Sequence, residues 1–297
     1  MRVSLFKIQV IGLCALALAF GSATIAFADS PTAVEASSDA DVVPPPPGAN
    51  NWSCKPSAAH PRPVVLAHGT FENRWDNWFA LSPRLAEAGY CVYALDFGRS
   101  LGGTISGVGP LRVSAQEISD FVDRVLAATG AQQVDIVGHS QGGMLPRYYM
   151  KNLGGASKVH TLVGLAPDNH GTTWGLIGLP ITLAPPVTNA VCPACTEQLP
   201  SSDFIQQLNS GGETLPGVRY TVIASKFDEF ATPYTTAFLD GPDVDNITLQ
   251  DLCPGNFSEH MTMPADPVTI QLVLNALDPA HQAPIPCGFG TGSAQIS

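Results

Sequence analysis

Charge is scarce in this chain. Only 13% of its 297 residues are Asp, Glu, Lys or Arg, about half the usual share. Bases are scarcest, 14 against 25 acids, giving a formal net charge of −11. So anionic a surface repels phosphate backbones, and a reader of nucleic acid is excluded. No His, Cys and carboxylate cluster has metal-ligand spacing. The glycine-rich run from Gly98 to Gly109 lacks the Lys-Ser/Thr ending of a phosphate loop. Neither a metal nor any other cofactor is therefore expected. Beyond the N-terminus no stretch approaches the ~20 apolar residues that span a bilayer, and no internal repeat is visible. Apolar side chains are abundant, at 45%. That is too many for a disordered chain and enough, at this length, for one large domain or two small ones.

The N-terminus reads as an export signal. Arg2 and Lys7 precede the uncharged apolar run Ile8 to Phe20, and Ala26-Phe27-Ala28 offers small residues where a signal peptidase reads. We expect a signal peptide over residues 1–28, a flexible Pro-rich leader over 29–50 ending in Pro44 to Pro47, and a folded catalytic domain over 51–297. A secreted chain keeps six cysteines: Cys54, Cys91, Cys192, Cys195, Cys253 and Cys287. An even number in an oxidising compartment suggests disulfides. The sequence does not choose among the many pairings, and order of appearance is the working expectation.

From Trp52 onward, short apolar runs alternate with amphipathic ones. Pro63–Ala67, Tyr90–Leu95, Val134–Val137, His160–Leu165 and Arg219–Ala224 read as strands. Trp75–Ala88, Val113–Ala128, Gln141–Lys151 and Pro267–Leu277 read as helices, the last capped by Asp266. This alternation predicts an α/β fold, a mostly parallel central sheet with helices on both faces. Chemistry in such sheets sits at the carboxyl ends of the strands.

One strand runs into Gly138-His139-Ser140-Gln141-Gly142 and then a helix. G-x-S-x-G in that context is a nucleophile elbow. The turn is so tight that only glycines fit beside it, and it lifts the serine hydroxyl to the positive end of the helix. Ser140 is the candidate nucleophile. The charge developed on an attacked carbonyl needs two fixed N–H donors. Gln141, just after the serine, supplies one. Thr70, in the His68-Gly69-Thr70-Phe71 loop after the first strand, supplies the other, with Phe71 as its fallback. His68 precedes the serine and is assigned to bracing the loop. In chain order an acid and a histidine must follow. Asp228, at a strand's carboxyl end, is the candidate acid, with Glu229 and Asp168 as rivals. His260 is the candidate base ahead of His281, which lies in a Pro-rich tail. Cys253, seven residues before His260, would anchor that loop through Cys287.

The charge-free segment from Trp174 to Ala184 overhangs the same strand ends. It reads as an apolar cap or lid, with Trp174, Leu176, Ile177 and Phe71 as a substrate-binding wall.

With these residues assembled, the chain resembles the secreted lipases and esterases of actinobacteria in the α/β-hydrolase superfamily. The resemblance runs from about Trp52 to Gly288. It rests on Asn51-Trp52-Ser53-Cys54, the His68–Phe71 loop, the elbow, the Asp228-Glu229 turn and Cys253 to His260. It implies hydrolysis of triacylglycerols or other carboxylic esters, with Ser140, Asp228 and His260 as the triad. A similarity to fungal lipases, with one disulfide near the N-terminus and one near the catalytic histidine, supports the pairing Cys54–Cys91, Cys192–Cys195 and Cys253–Cys287. The expected partner is a small-molecule or lipid ester, with contact to a lipid interface, no nucleic acid, and a monomeric protein. Depolymerisation of an extracellular polyester, or acyl transfer, would use the same triad. A non-catalytic binding protein on this scaffold would commonly lack a triad member, and here every position is filled.

Overall fold

The computed structural model describes residues 43–98, 103–175, 178, 181 and 184–288. Six strands form one parallel sheet in the order β2-β1-β3-β4-β5-β6: β1 (Val64–Ala67), β2 (Val92–Leu95), β3 (Val134–His139), β4 (Val159–Leu165), β5 (Arg219–Ala224) and β6 (Val244–Thr248). The central strands are buried on both faces, which explains their continuous apolar runs. Alternate residues serve opposite layers. Val65 and Ala67 join one core with α3 (Leu111–Thr129) and α4 (Gln141–Asn152). Val64 and Leu66 join another with α1 (Arg74–Trp78), α2 (Leu81–Glu87) and the closing helix Pro267–Leu277.

The helices follow local rules. Apolar residues of α3 at helical spacing, Leu111, Ala115, Ile118, Val122 and Val125, are buried. The helix stops at Gly130, whose φ of 78° closes its last turn onto the Leu126 carbonyl. Asp266 caps the closing helix, accepting from the Thr269 N–H, and Pro267 takes its first turn.

Two expectations are corrected, and one strand is added. The single helix over 75–88 is two, α1 and α2. Pro83 has no N–H to give the Phe79 carbonyl, and its ring crowds that carbonyl, so the two turns cannot fuse. The leader does not run unpacked to residue 50. Val43 is buried and its carbonyl accepts from Arg74 Nε at 3.1 Å. The Asn50 amide pairs both ways with Ala94, at 2.9 and 2.8 Å, covering the open edge of β2. Strand β6 was not anticipated, because its sequence Val-Asp-Asn-Ile-Thr is an edge strand with largely exposed polar residues.

The register sets the site. Ala67 pairs with Gly138, Gly138 with Gly164, Leu165 with Ile223 and Ala224 with Thr248. The strands therefore end together, and the loops after β1, β3, β4 and β5 open on one rim. The segment following β6 continues through a short helix, Leu249–Leu252, to His260.

Candidate active site

The elbow forms because the backbone has no room for anything else. Ser140 has φ 52°, the left-handed region, which costs a non-glycine residue about 1–3 kcal/mol. A Cβ on Gly138 would stand 2.0 Å from the Gly142 carbonyl oxygen, and one on Gly142 2.1 Å from that of Ala67. Ser140 caps the 12-residue α4 and opens on a cavity of about 250 Å³, lined by Thr70, Phe71, Asp168, Trp174 and His260 among others.

Asp228 and His260 form a buried pair, Oδ2 to Nδ1, at 2.8 Å. The other carboxylate oxygen of Asp228 accepts from the Phe230 and Ala231 N–H groups at 2.9 and 2.8 Å, so the carboxylate cannot turn away. Burial opposes charge on the His260 ring. The Asp228 hydrogen bond and charge, helped by Asp168 and Glu72, outweigh it and raise the imidazole above its ordinary pKa. Ser140 and His260 line one cavity, but the serine hydroxyl donates to Asp168 Oδ2, at 3.2 Å, rather than to the imidazole. Burial is the largest influence on Asp168 and lifts its pKa to about 6. Asp228 reinforces that rise, whereas His260, the Ser140 hydrogen bond and His139 oppose it.

Thr70, on the loop after β1, and Gln141, the first residue of α4, are tied together. Gln141 Nε2 donates to Thr70 Oγ1 at 3.1 Å, and Gln198 Nε2 does so at 3.0 Å. Among the described residues no protein acceptor takes up the main-chain N–H of either Thr70 or Gln141. Gln198 is fully buried and follows α6 (Pro193–Glu197), which α5 (Pro185–Val191) joins through Cys192.

Behind the Asp228–His260 pair lies a second His–carboxylate pair. His139 Nδ1 meets Glu72 Oε2 at 2.9 Å, and Nε2 faces the main-chain carbonyl of His260 at 3.0 Å. Glu72 also accepts from the Gly69 N–H at 3.0 Å. One carboxylate thus links the Thr70 loop, the elbow and the His260 loop. Burial would raise the Glu72 pKa, but the charge and hydrogen bond of His139 overcome it and lower it.

Sequence reasoning brings Ser140, Asp228, His260, Thr70, Gln141, Phe71 and Trp174 to one place. Phe71 and Trp174 face each other with ring centroids 6.2 Å apart, and Trp174 Nε1 donates to the Cys195 carbonyl at 2.9 Å. Leu176 and Ile177 lie outside the described residues. Glu229 is exposed, and His281 is exposed beside Asp278. His68 is buried, stacked on Phe97 with centroids 4.2 Å apart. Glu72, Gln198 and the Ser140–Asp168 contact were missed. The only sequence signal for them is polarity inside otherwise apolar surroundings. The disulfides are Cys54–Cys91, Cys192–Cys195 and Cys253–Cys287, the order-of-appearance pairing. No group of three His, Cys, Asp or Glu residues is placed to hold a metal among the described residues.

A parallel sheet with a strand–elbow–helix serine at its centre defines an α/β-hydrolase fold. Solved structures agree on that fold. Lipase B of Aspergillus fumigatus superposes with a TM-score of 0.64 at 21% identity, covering 81% of this chain and 56% of that one. The mature Bacillus licheniformis lipase BlEst2 gives 0.56 at 13% identity, covering 75% and 94%. The model of the class 2 lipase family matches residues 61–273, well over half the chain, and the chain belongs to that family. Two triacylglycerol lipases, from Pseudarthrobacter phenanthrenivorans and Burkholderia plantarii, are each 38% identical over 96 residues. That stretch is 31% of this chain, and it spans only 28% and 25% of those relatives' lengths.

Proposed function

We propose that this protein is a secreted serine hydrolase that cleaves carboxylic esters, with lipid esters such as acylglycerols as its substrate class. One observation carries the reading. The elbow serine and His260, which Asp228 holds at 2.8 Å, line the same cavity, beside two main-chain N–H groups that meet no protein acceptor among the described residues.

The chemistry follows from those positions. The Ser140 hydroxyl turns to His260 Nε2 and gives up its proton as Oγ bonds to the ester carbonyl carbon. The carbonyl oxygen takes the negative charge and rests on the Thr70 and Gln141 N–H groups. Asp228 holds the ring in the tautomer that leaves Nε2 free to accept, and offsets the imidazolium. The tetrahedral species collapses, the alcohol leaves with the proton from His260, and an acyl-serine remains. Water, deprotonated by the same imidazole, then releases the acid and regenerates Ser140.

Apolar surface around the opening supports a lipid substrate. Phe71 and Met261 line the cavity yet stay about half exposed. Helix α5 buries none of its residues and exposes Val187 and Val191. Together with Trp174 they would let an acyl chain pass from a lipid surface to the serine. The three disulfides suit an oxidising, extracellular setting, in keeping with a signal peptide over residues 1–28. We assign the monomer as the working form.

Rates over p-nitrophenyl esters of rising acyl length, emulsified triglyceride and a polyester film test the assignment. Turnover of acyl esters and triglyceride by the wild type, lost in Ser140→Ala by several orders of magnitude, is the expected result. A preference for the film over every small ester and glyceride would favour the depolymerase reading instead.

A further inference from the structure

Asp168 has no role in the reaction as derived, yet it touches the atom on which that reaction depends. It lies just past the end of β4, after Ala166, whose φ of 43° is itself left-handed. Its Oδ2 accepts the Ser140 hydroxyl at 3.2 Å. Its Oδ1 is shielded and meets no donor among the described residues, and the residue is 1% exposed. A carboxylate so placed is costly unless it serves the site.

We propose that Asp168 is a positioning carboxylate for Ser140: it holds the serine hydroxyl away from His260 until substrate engages, so that attack requires the hydroxyl to exchange one acceptor for the other. The inference rests on the serine-hydrolase reading above. The exchange is a rotation of the Ser140 side chain. The hydrogen bond to Asp168 Oδ2 breaks, one to His260 Nε2 forms, and the proton stays on Oγ until attack. The surroundings fit such a device. The ionisable groups acting on Asp168 are His260, Asp228 and His139, besides the hydroxyl of Ser140. Burial lifts its pKa to about 6, so its charge is present above that pH and is lost as pH falls through it. That charge also favours protonated His260. Asp168 therefore acts against the triad twice, by taking the hydroxyl and by keeping the base charged.

Asp168→Asn keeps the shape and removes the charge. Two readouts test it: the pH profile of kcat/KM on a soluble p-nitrophenyl ester, and the rate at which a fluorophosphonate labels Ser140 at pH 7.5. We expect the acid limb of the profile to move to lower pH, by about one unit, and labelling to become severalfold faster than in the wild type. An unmoved limb, or slower labelling, overturns the proposal. Either result with an inactive Ser140→Ala protein overturns this inference alone, whereas an active Ser140→Ala protein overturns the reading beneath it. Should the variant not fold, wild-type protein carrying ¹³C-carboxyl aspartate answers the question. One aspartate titrating near pH 6, and moving when phosphonate caps Ser140, is expected. The absence of any such signal is contrary.

Discussion

Glu72 and His139 meet at 2.9 Å directly behind the pair that would work on substrate, and the far nitrogen of the same ring faces the His260 carbonyl. Nε2 of His139 thus faces an acceptor, and Nδ1 lies between the Glu72 carboxylate and Asn77 Nδ2, the latter 3.1 Å away. The charge and hydrogen bond that His139 offers overcome burial and lower the pKa of Glu72. Glu72→Gln should therefore be destabilising at neutral pH by about 3 kcal/mol, the scale for breaking a buried pair. The folded-state pKa of Glu72 is depressed, so its contribution is present above the unfolded value of 4.5 and lost as pH falls through the folded value. Chemical denaturation of both proteins at pH 7 and pH 3 checks this: the gap should be large at the first and small at the second.

The imidazole proposed as the base, His260, should be hard to discharge. Its pKa lies above the ordinary 6.5, because Asp228 and two further carboxylates outweigh burial. Only neutral His260 can accept the serine proton. The acid limb of kcat/KM should then fall above pH 6.5 and rise with pH through it. Asp228→Asn should cut kcat by about 10⁴-fold through the wrong tautomer, with little change in KM. A rate profile on a soluble ester measures both.

The elbow should tolerate no methyl group. Gly142→Ala places a Cβ 2.1 Å from the Ala67 carbonyl oxygen, which is backbone and cannot swing aside. The turn must shift, and a shift of the order of 1 Å costs roughly 10²-fold in rate. Gly130→Ala is a useful contrast. No atom lies within 4 Å of its added Cβ, so only the left-handed φ opposes it. Its cost should appear in the melting temperature, with kcat little altered.

The disulfide Cys253–Cys287 closes a loop of 34 residues that contains His260. Replacing both cysteines by serine should cost about 3–4 kcal/mol if chain entropy dominates. Because His260 is held by that loop, kcat should fall more than KM rises. Thermal melts and steady-state kinetics on the same preparation separate the two effects.

Much of this was legible in the order of residues. The elbow announces itself because strand, glycines, serine and helix are contiguous, and the Asp266 cap marks the closing helix for the same reason. Asp228 and His260 could be chosen because an acid and then a histidine must follow the serine along the chain, and Asp228 stands at a strand's carboxyl end. What escaped depends on distant neighbours. Strand β6 is polar, and only its pairing with β5 makes it a strand. The break at Pro83 is local, but the amphipathic pattern on both sides of it concealed it. Glu72 and Gln198 are buried by loops far apart in sequence, and Asp168, named only as a rival acid, has nothing beside it in the chain to reveal its contact with Ser140. Asn50 looks like part of a tail until β2 is known to be an edge.

The central claim is that Ser140 is made reactive by His260, across a cavity they share. The most direct measurement is mass spectrometry of the protein after reaction with a fluorophosphonate. A single adduct on Ser140 is expected, formed quickly in the wild type and slowed by orders of magnitude in His260→Ala. An adduct elsewhere, or labelling of Ser140 at an undiminished rate without His260, would contradict that claim.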